Sequence, residues 1–439
     1  MMKPLLIKGG RIIDPGQGID EFGNLLITEG KVLSLSSGEA RPPYLDYEVL
    51  NAEGLVVCPG FIDFHCHLRQ PGFEEKETIA SGSQAAARGG FTTICCMPNT
   101  NPPLDNRTVI DYVKSTAASE GAVRVAPIGC ISKGRRGEEL AEMGELAEAG
   151  VVAFSDDGNT VMSSRLMHQA MEYSLALGLP ITDHCEDTAL SKGGQMNEGI
   201  IATRLGLRGV PAAAEENIVA RDLALAQLTG AHIHIAHTTT EGSVELIRRA
   251  KERGIKVTAE VTPHHLTLTE EMVIGYNTNA KVNPPLRTER DIKALVQGLK
   301  EGVIDIIATD HAPHTEDDKR RQFALAPFGI SGFETALGSL MRLVHNEQLD
   351  LVMLIAKLTC QPAKIIGDRL GKLGTLKVGA PADVTIFDPY KEWVVDTKKF
   401  VSKGKNTPLN GSRLKGKVIA TIYQGKIVYK DNSVTAEER

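Results

Sequence analysis

Six residues of this chain are of the types that hold divalent cations, and each closes or directly follows a short apolar run: His65, His67, Asp157, His184, His237 and Asp310. His65 and His67 lie two apart, so on an extended segment both imidazoles leave the same face and reach one ion. Imidazole with carboxylate and no thiolate cluster suits zinc, with manganese or iron as poorer fits. Two ions need a bridging carboxylate that spans roughly 3.5 to 4 Å, and a hydroxide held between them is a nucleophile near neutral pH. Asp157 is the candidate bridge; Asp156 points the other way on an extended segment, although a register slip of one residue exchanges the two. Asp310 is placed to take the proton of an attacking water and pass it to a departing nitrogen, the division of labour of amide hydrolysis. Of the other histidines, His232 and His234 read as packed or hydrogen-bonded deeper in the run that His237 ends. His264 and His265 are read at the rim, and His168 and His345, in predicted helices, are given no role.

These six meet only if the runs that carry them are neighbouring strands opening onto one face. Eight such runs are predicted: 60–65, 92–97, 124–128, 151–157, 180–184, 232–237, 256–261 and 305–310. Between them lie amphipathic segments of helical length, 74–88, 163–177 and 241–253 among them, each followed by glycine; glycine just past the last turn adopts the left-handed conformation that closes a helix. Strands alternating with helices make a parallel sheet, and eight strands close a (β/α)8 TIM-type barrel, whose active sites sit at the C-terminal strand ends. An open doubly wound sheet is the competitor, but no glycine-rich phosphate fingerprint follows any of these strands. The expected fold is thus α/β, with the barrel over residues 58–368. Residues 1–57 and 369–439 instead alternate short β-rich runs with turn glycines, too few at either end to stand alone, so the two ends are expected to join as one small β-sandwich. The connection from His311 to Ser331 is long for a barrel and is expected to act as a lid over bound substrate.

Lysine and arginine total 49 against 55 aspartates and glutamates, with no long basic run, so nucleic acid and anionic membrane are poor partners and a small molecule is the better one. No stretch is apolar enough for a leader or a membrane span, and a cytoplasmic location is expected. Seven cysteines, an odd number lying mostly in apolar runs, read as buried thiols rather than a disulfide framework.

The runs Gly60-Phe-Ile-Asp-Phe-His-Cys-His-Leu-Arg69, Met97-Pro-Asn-Thr100, Phe154-Ser-Asp-Asp-Gly158, Asp183-His-Cys-Glu-Asp187, Asn283-Pro-Pro-Leu-Arg287 and Ala308-Thr-Asp-His-Ala-Pro-His314 resemble the bacterial dihydroorotases of the amidohydrolase superfamily, nearly end to end. The resemblance implies reversible ring opening of dihydroorotate to N-carbamoyl-aspartate, a step of pyrimidine synthesis, at a centre of two zinc ions per subunit. It implies that His65, His67 and Asp310 bind the first zinc, His184 and His237 the second and Asp157 both, with Asp310 as the catalytic proton shuttle. Substrate contacts would come from His67, Arg69, Asn99, Asn283, His314, Phe328 and Gly329. The exocyclic carboxylate of that substrate suits the fork of Arg69, a charge-assisted pair worth roughly 1.5 to 3 kcal/mol. A homodimer, and an aspartate carbamoyltransferase as protein partner, come with the resemblance. Two rival readings are a hydantoinase, dihydropyrimidinase or allantoinase, and a silent paralogue serving in assembly. Many enzymes of the first kind bridge their metals with a carbamylated lysine; here no lysine lies between Lys133 and Lys192. Silent paralogues typically lose metal ligands, and all six are present.

Overall fold

The computed structural model describes residues 3–37 and 46–431, together with the backbone of 436–438. Its centre is a closed parallel barrel. The first three strands, Phe61–Cys66, Phe91–Cys96 and Arg124–Pro127, pair in order, and so do the last four, Ile181–Asp183, Ile233–Ile235, Val257–Val261 and Ile306–Ile307. The fourth strand is reduced to Phe154, which bridges Gly129 on one side and Ile181 on the other. Closure comes from a parallel bridge between Cys66 and His311, with the His67 amide donating to the His311 carbonyl at 2.9 Å. Asp63, inside the first strand, adds to the seam by accepting from the Thr309 amide at 2.6 Å and from its hydroxyl at 2.7 Å. Most of these strand residues are buried, as both faces of a parallel barrel strand are covered.

The helices follow their sequence signals with one difference. Ser164–Leu177 begins at Ser163, whose side chain accepts from the Leu166 amide, and ends at Gly178, φ +66°. Glu241–Glu252 begins at Thr240 in the same way. The segment expected as helix from residue 74 starts instead at Ile79, because Thr78 forms a capping box with Ser81. Glu77 lies ahead of that cap and turns its carboxylate to Ser402 and to the Lys403 amide.

Strands from both ends of the chain form a single nine-stranded sheet outside the barrel. Its central path runs Lys426–Lys430, Arg413–Tyr423, Val384–Val394, Val56–Pro59, Leu5–Asp14, Ile19–Thr28, Lys31–Ser36. The sheet folds back on itself: Lys31 bridges Pro381, and residues of its far strands, such as Leu25, Ile27, Ile386 and Ile422, share one apolar core. Leu5–Asp14 is one strand bent at Gly9, φ +74°. Its first half pairs with Glu48–Asn51 and its second with Val56–Pro59, a strand that the alternation in sequence did not reveal. An aromatic seam, Phe387–Phe61–Phe91–Phe333 with ring centroids 5.5 to 6.3 Å apart, joins this sheet to the barrel. All seven cysteines are free thiols, and six of them are buried. Among the described residues no helix is long and apolar enough to cross a membrane.

Candidate metal centre

The six sequence-predicted ligands converge at the C-terminal mouth of the barrel. Asp157 lies in their midst: its Oδ1 is 3.4 Å from His65 Nε2, 3.6 Å from His237 Nε2 and 3.7 Å from His184 Nδ1, and its Oδ2 is 3.6 Å from His67 Nε2. Asp310 Oδ1 stands 3.0 Å from His67 Nε2 and 3.6 Å from His65 Nε2. Two triads, His65 with His67 and Asp310, and His65 with Asp157 and His237, each bring one ligand atom per residue within 4.8 Å of the others. Asp156 turns away, accepting from the amides of Ile131 and Ser132 at 2.9 and 3.0 Å, so the register places Asp157 inward. His65 Nε2 and Asp157 Oδ1 are buried without a hydrogen-bond partner, a costly arrangement for protein atoms alone and the natural one for atoms that coordinate a cation.

The backbone is strained where these side chains are aimed. His237 (φ +30°), Asp310 (φ +44°) and Arg69 (φ +63°) all occupy the left-handed region, at a cost of about 1 to 3 kcal/mol each. Electrostatics favour positive charge in the pocket. Burial alone would lower the His65 pKa, but the carboxylates of Asp157 and Glu260 reverse that and hold it well above its ordinary value. His184, likewise opposed by burial, is pushed up to about 10 by Asp157 and Glu186. A pocket that holds protons this firmly also attracts a divalent cation, which displaces them.

Of the remaining predicted residues, Asn99 and Asn283 lie against these ligands, and Arg69, His314 and Phe328 are linked to one another. Asn99 Oδ1 is 2.8 Å from His67 Nδ1. Asn283 Nδ2 donates to Glu186 Oε2 at 2.8 Å and lies 3.4 Å from His184 Nε2. Arg69 donates from Nε to the Pro313 carbonyl at 3.2 Å, and its Nη2 lies 3.3 Å from His314 Nε2. His314 Nε2 in turn donates to the Phe328 carbonyl at 2.8 Å. Gly329 has φ +144°, and a Cβ there would meet the Ala312 carbonyl at 2.7 Å, so no other residue fits without a shift. Desolvation lowers the Arg69 pKa to about 10, leaving it a cation at neutral pH.

A family model described as dihydro-orotase-like matches residues 54–243. A dihydroorotase of Citrifermentans bemidjiense is 53% identical over 427 residues, covering 97% of this chain and 99% of that protein. One of Thermoanaerobacter sp. strain X514 is also 53% identical and covers 98% of each. The chain belongs to the dihydroorotase family. Among solved structures, an L-hydantoinase (dihydropyrimidinase) from Arthrobacter aurescens is similar with a TM-score of 0.87 and 26% identity, over 100% of this chain and 98% of that one. A dihydropyrimidinase from Brevibacillus agri, at 22% identity and a TM-score of 0.84 over 99% and 96%, shares the fold.

Two acidic residues of this dihydroorotase-family site were not singled out in the sequence. Glu260, fully buried in the seventh strand, meets His65 Nδ1 at 2.6 Å and His234 Nε2 at 3.1 Å and accepts from the His237 amide at 3.2 Å. It fixes His65 with Nε2 turned to the pocket. Burial raises its pKa, yet His65 and His234 hold it at about 2. Glu186, 2.9 Å from His184 Nε2, leaves Nδ1 facing Asp157. A charged residue inside an apolar strand was the available signal for Glu260. His234 is bonded to Thr258 and Glu260, as a packed histidine should be. Another buried group, Asp183, Cys185 and Asp222, is occupied by the Arg221 guanidinium, 2.7 Å from Asp222 and 3.4 Å from Asp183.

Proposed function

We propose that the chain opens and re-forms the dihydroorotate ring with two zinc ions, held by His65, His67 and Asp310, by His184 and His237, and by Asp157 between them. The carrying observation is Asp157 standing between both histidine pairs with Oδ1 buried and unpartnered, in a chain half identical to dihydroorotases over its length. When bound, the ions supply Lewis-acid polarisation of the ring amide and a water acidic enough to attack near neutral pH. Asp310, against His67, accepts the proton of that water and hands it to the ring nitrogen. Arg69, braced by the Pro313 carbonyl, grips the substrate carboxylate, with His314, Asn99 and Asn283 as further polar partners and Phe328–Gly329 as the adjoining wall. In the synthetic direction the same groups act in reverse. The absence of a lysine between 133 and 192 leaves the bridge to Asp157 and favours this reading over hydantoin or dihydropyrimidine chemistry. A cytoplasmic homodimer, docking an aspartate carbamoyltransferase, completes the proposal.

The test is a dihydroorotate ring-opening assay on protein of measured zinc content. Turnover with about two zinc ions per chain is expected, together with a KM raised about tenfold to a hundredfold in Arg69→Met, the equivalent of one lost charge-assisted pair. Hydantoin opening with none on dihydroorotate overturns the substrate assignment.

A further inference from the structure

The loop from His311 to Ser331 is tied down by three buried side chains whose partners are almost entirely backbone. Lys281 and Lys319 are 2% and 6% exposed. Each ammonium has three N–H groups and meets three carbonyl oxygens. Lys281 Nζ donates to Phe323 at 2.6 Å, Ala326 at 2.7 Å and Ala324 at 3.4 Å. Lys319 Nζ donates to Pro327 at 2.8 Å, Thr278 at 3.0 Å and Lys281 at 3.3 Å. The Lys281 ammonium also lies 4.6 Å from the centre of the Phe328 ring and 5.2 Å from that of Phe323, so aromatic faces help to compensate its charge. Asn406 arrives from the C-terminal segment and uses its whole amide. Nδ2 donates to the Ala312 and Gly329 carbonyls at 2.9 and 3.0 Å, and Oδ1 accepts from the His314 amide at 2.9 Å and the Ser331 hydroxyl at 2.8 Å.

The atoms so held lead straight to the mouth. The Gly329 amide donates to the Lys281 carbonyl at 2.9 Å, and Phe328 receives His314, which faces Arg69. The expected lid is thus, in the structure, a wall packed down on the site.

We propose that Lys281, Lys319 and Asn406 are positioning residues that clamp this loop and so preorganise the carboxylate-recognising side of the site, Arg69, His314 and Phe328–Gly329. The inference rests on the functional reading above for its substrate, but not for the clamp itself. None of the three touches the six proposed metal ligands in any hydrogen bond described for them, so loss of a clamp residue weakens substrate binding and leaves metal binding intact.

The experiment compares wild type with Lys319→Met and with Asn406→Asp, which keeps the shape but turns a carboxylate oxygen instead of two donors toward the Ala312 and Gly329 carbonyls. Hydrogen exchange at residues 311–331 is read against exchange at the barrel strands, alongside zinc content, KM and kcat for dihydroorotate. Expected are loop amides exchanging about tenfold faster, KM raised about tenfold, kcat within about threefold and unchanged zinc, a split that general destabilisation does not produce. Unchanged loop exchange in both variants overturns the clamp, and faster exchange with an unchanged KM overturns its role in binding. Should Lys319→Met not be recovered folded, Asn406→Asp carries the same readouts. A wild-type protein inert toward dihydroorotate defeats the functional reading instead, and the exchange comparison still decides whether these groups hold the loop.

Discussion

Glu260 shows how much of a metal site can lie one bond behind its ligands. Its carboxylate joins His65, His234 and the His237 amide, so a single side chain sets the tautomer of one candidate ligand and the backbone position of another. Glu260→Gln keeps the shape but replaces one acceptor with a donor. Zinc affinity, followed by competition with a chromophoric chelator, is expected to fall about tenfold to a hundredfold, with the loss carried by the ion nearest His65. The six metal-type residues were legible because such side chains at strand ends have few other uses. Lys281, Lys319 and Asn406 were not, for a physical reason: their partners are mostly backbone groups, which every residue carries, so no pairing of side-chain types in the sequence announces them.

Among the elements, the excursion between the last long strands, residues 396–412, holds no strand and only the short helical turn Thr397–Lys399. It is pinned by Glu334, whose carboxylate accepts from the Val401 amide at 3.0 Å and the Ser402 amide at 3.2 Å and faces Arg88 at 3.3 Å. Burial outweighs these favourable contacts and raises the Glu334 pKa from 4.5 to about 7. The folded chain therefore holds a proton that the unfolded chain releases, so the stabilisation is complete below about pH 4.5 and is lost as pH rises through about 7. A shift of this size corresponds to a ceiling of roughly 3 kcal/mol. Unfolding by urea between pH 5 and 8 should show the wild type losing stability relative to Glu334→Gln, and parallel curves would deny the effect. The barrel strands could be counted from their apolar runs. The start of the first helix could not, because the residues from 74 to 77 have helical propensity while the Thr78 cap and the tertiary bonds of Glu77 decide the boundary.

For the molecule as a whole, the first chain crossing from sheet to barrel is a single residue. Gly60 separates the strand Val56–Pro59 from the strand Phe61–Cys66, and a Cβ there would fall 2.1 Å from Thr92 Oγ1 and 2.4 Å from its Cγ2. Gly60→Ala is expected to cost about 1 to 3 kcal/mol in denaturant unfolding, and Thr92→Ala in the same chain should recover much of it. Additive losses would show that the two positions do not compete for the same space. That both ends of the chain belong together was legible from the shortage of strands at each, whereas Val56–Pro59 was hidden because a four-residue apolar run beside a barrel strand has no alternation to mark it.

The arrival of Asn406 at the catalytic mouth gives the outer sheet a duty beyond bulk. Paring this architecture to a bare cylinder, an attractive route to a minimal catalyst, would keep the cradle of imidazoles and carboxylates but set adrift the wall proposed to read the acid group. On the proposed assignments, such a truncate would bind its ions and lose its sense of which ring it holds.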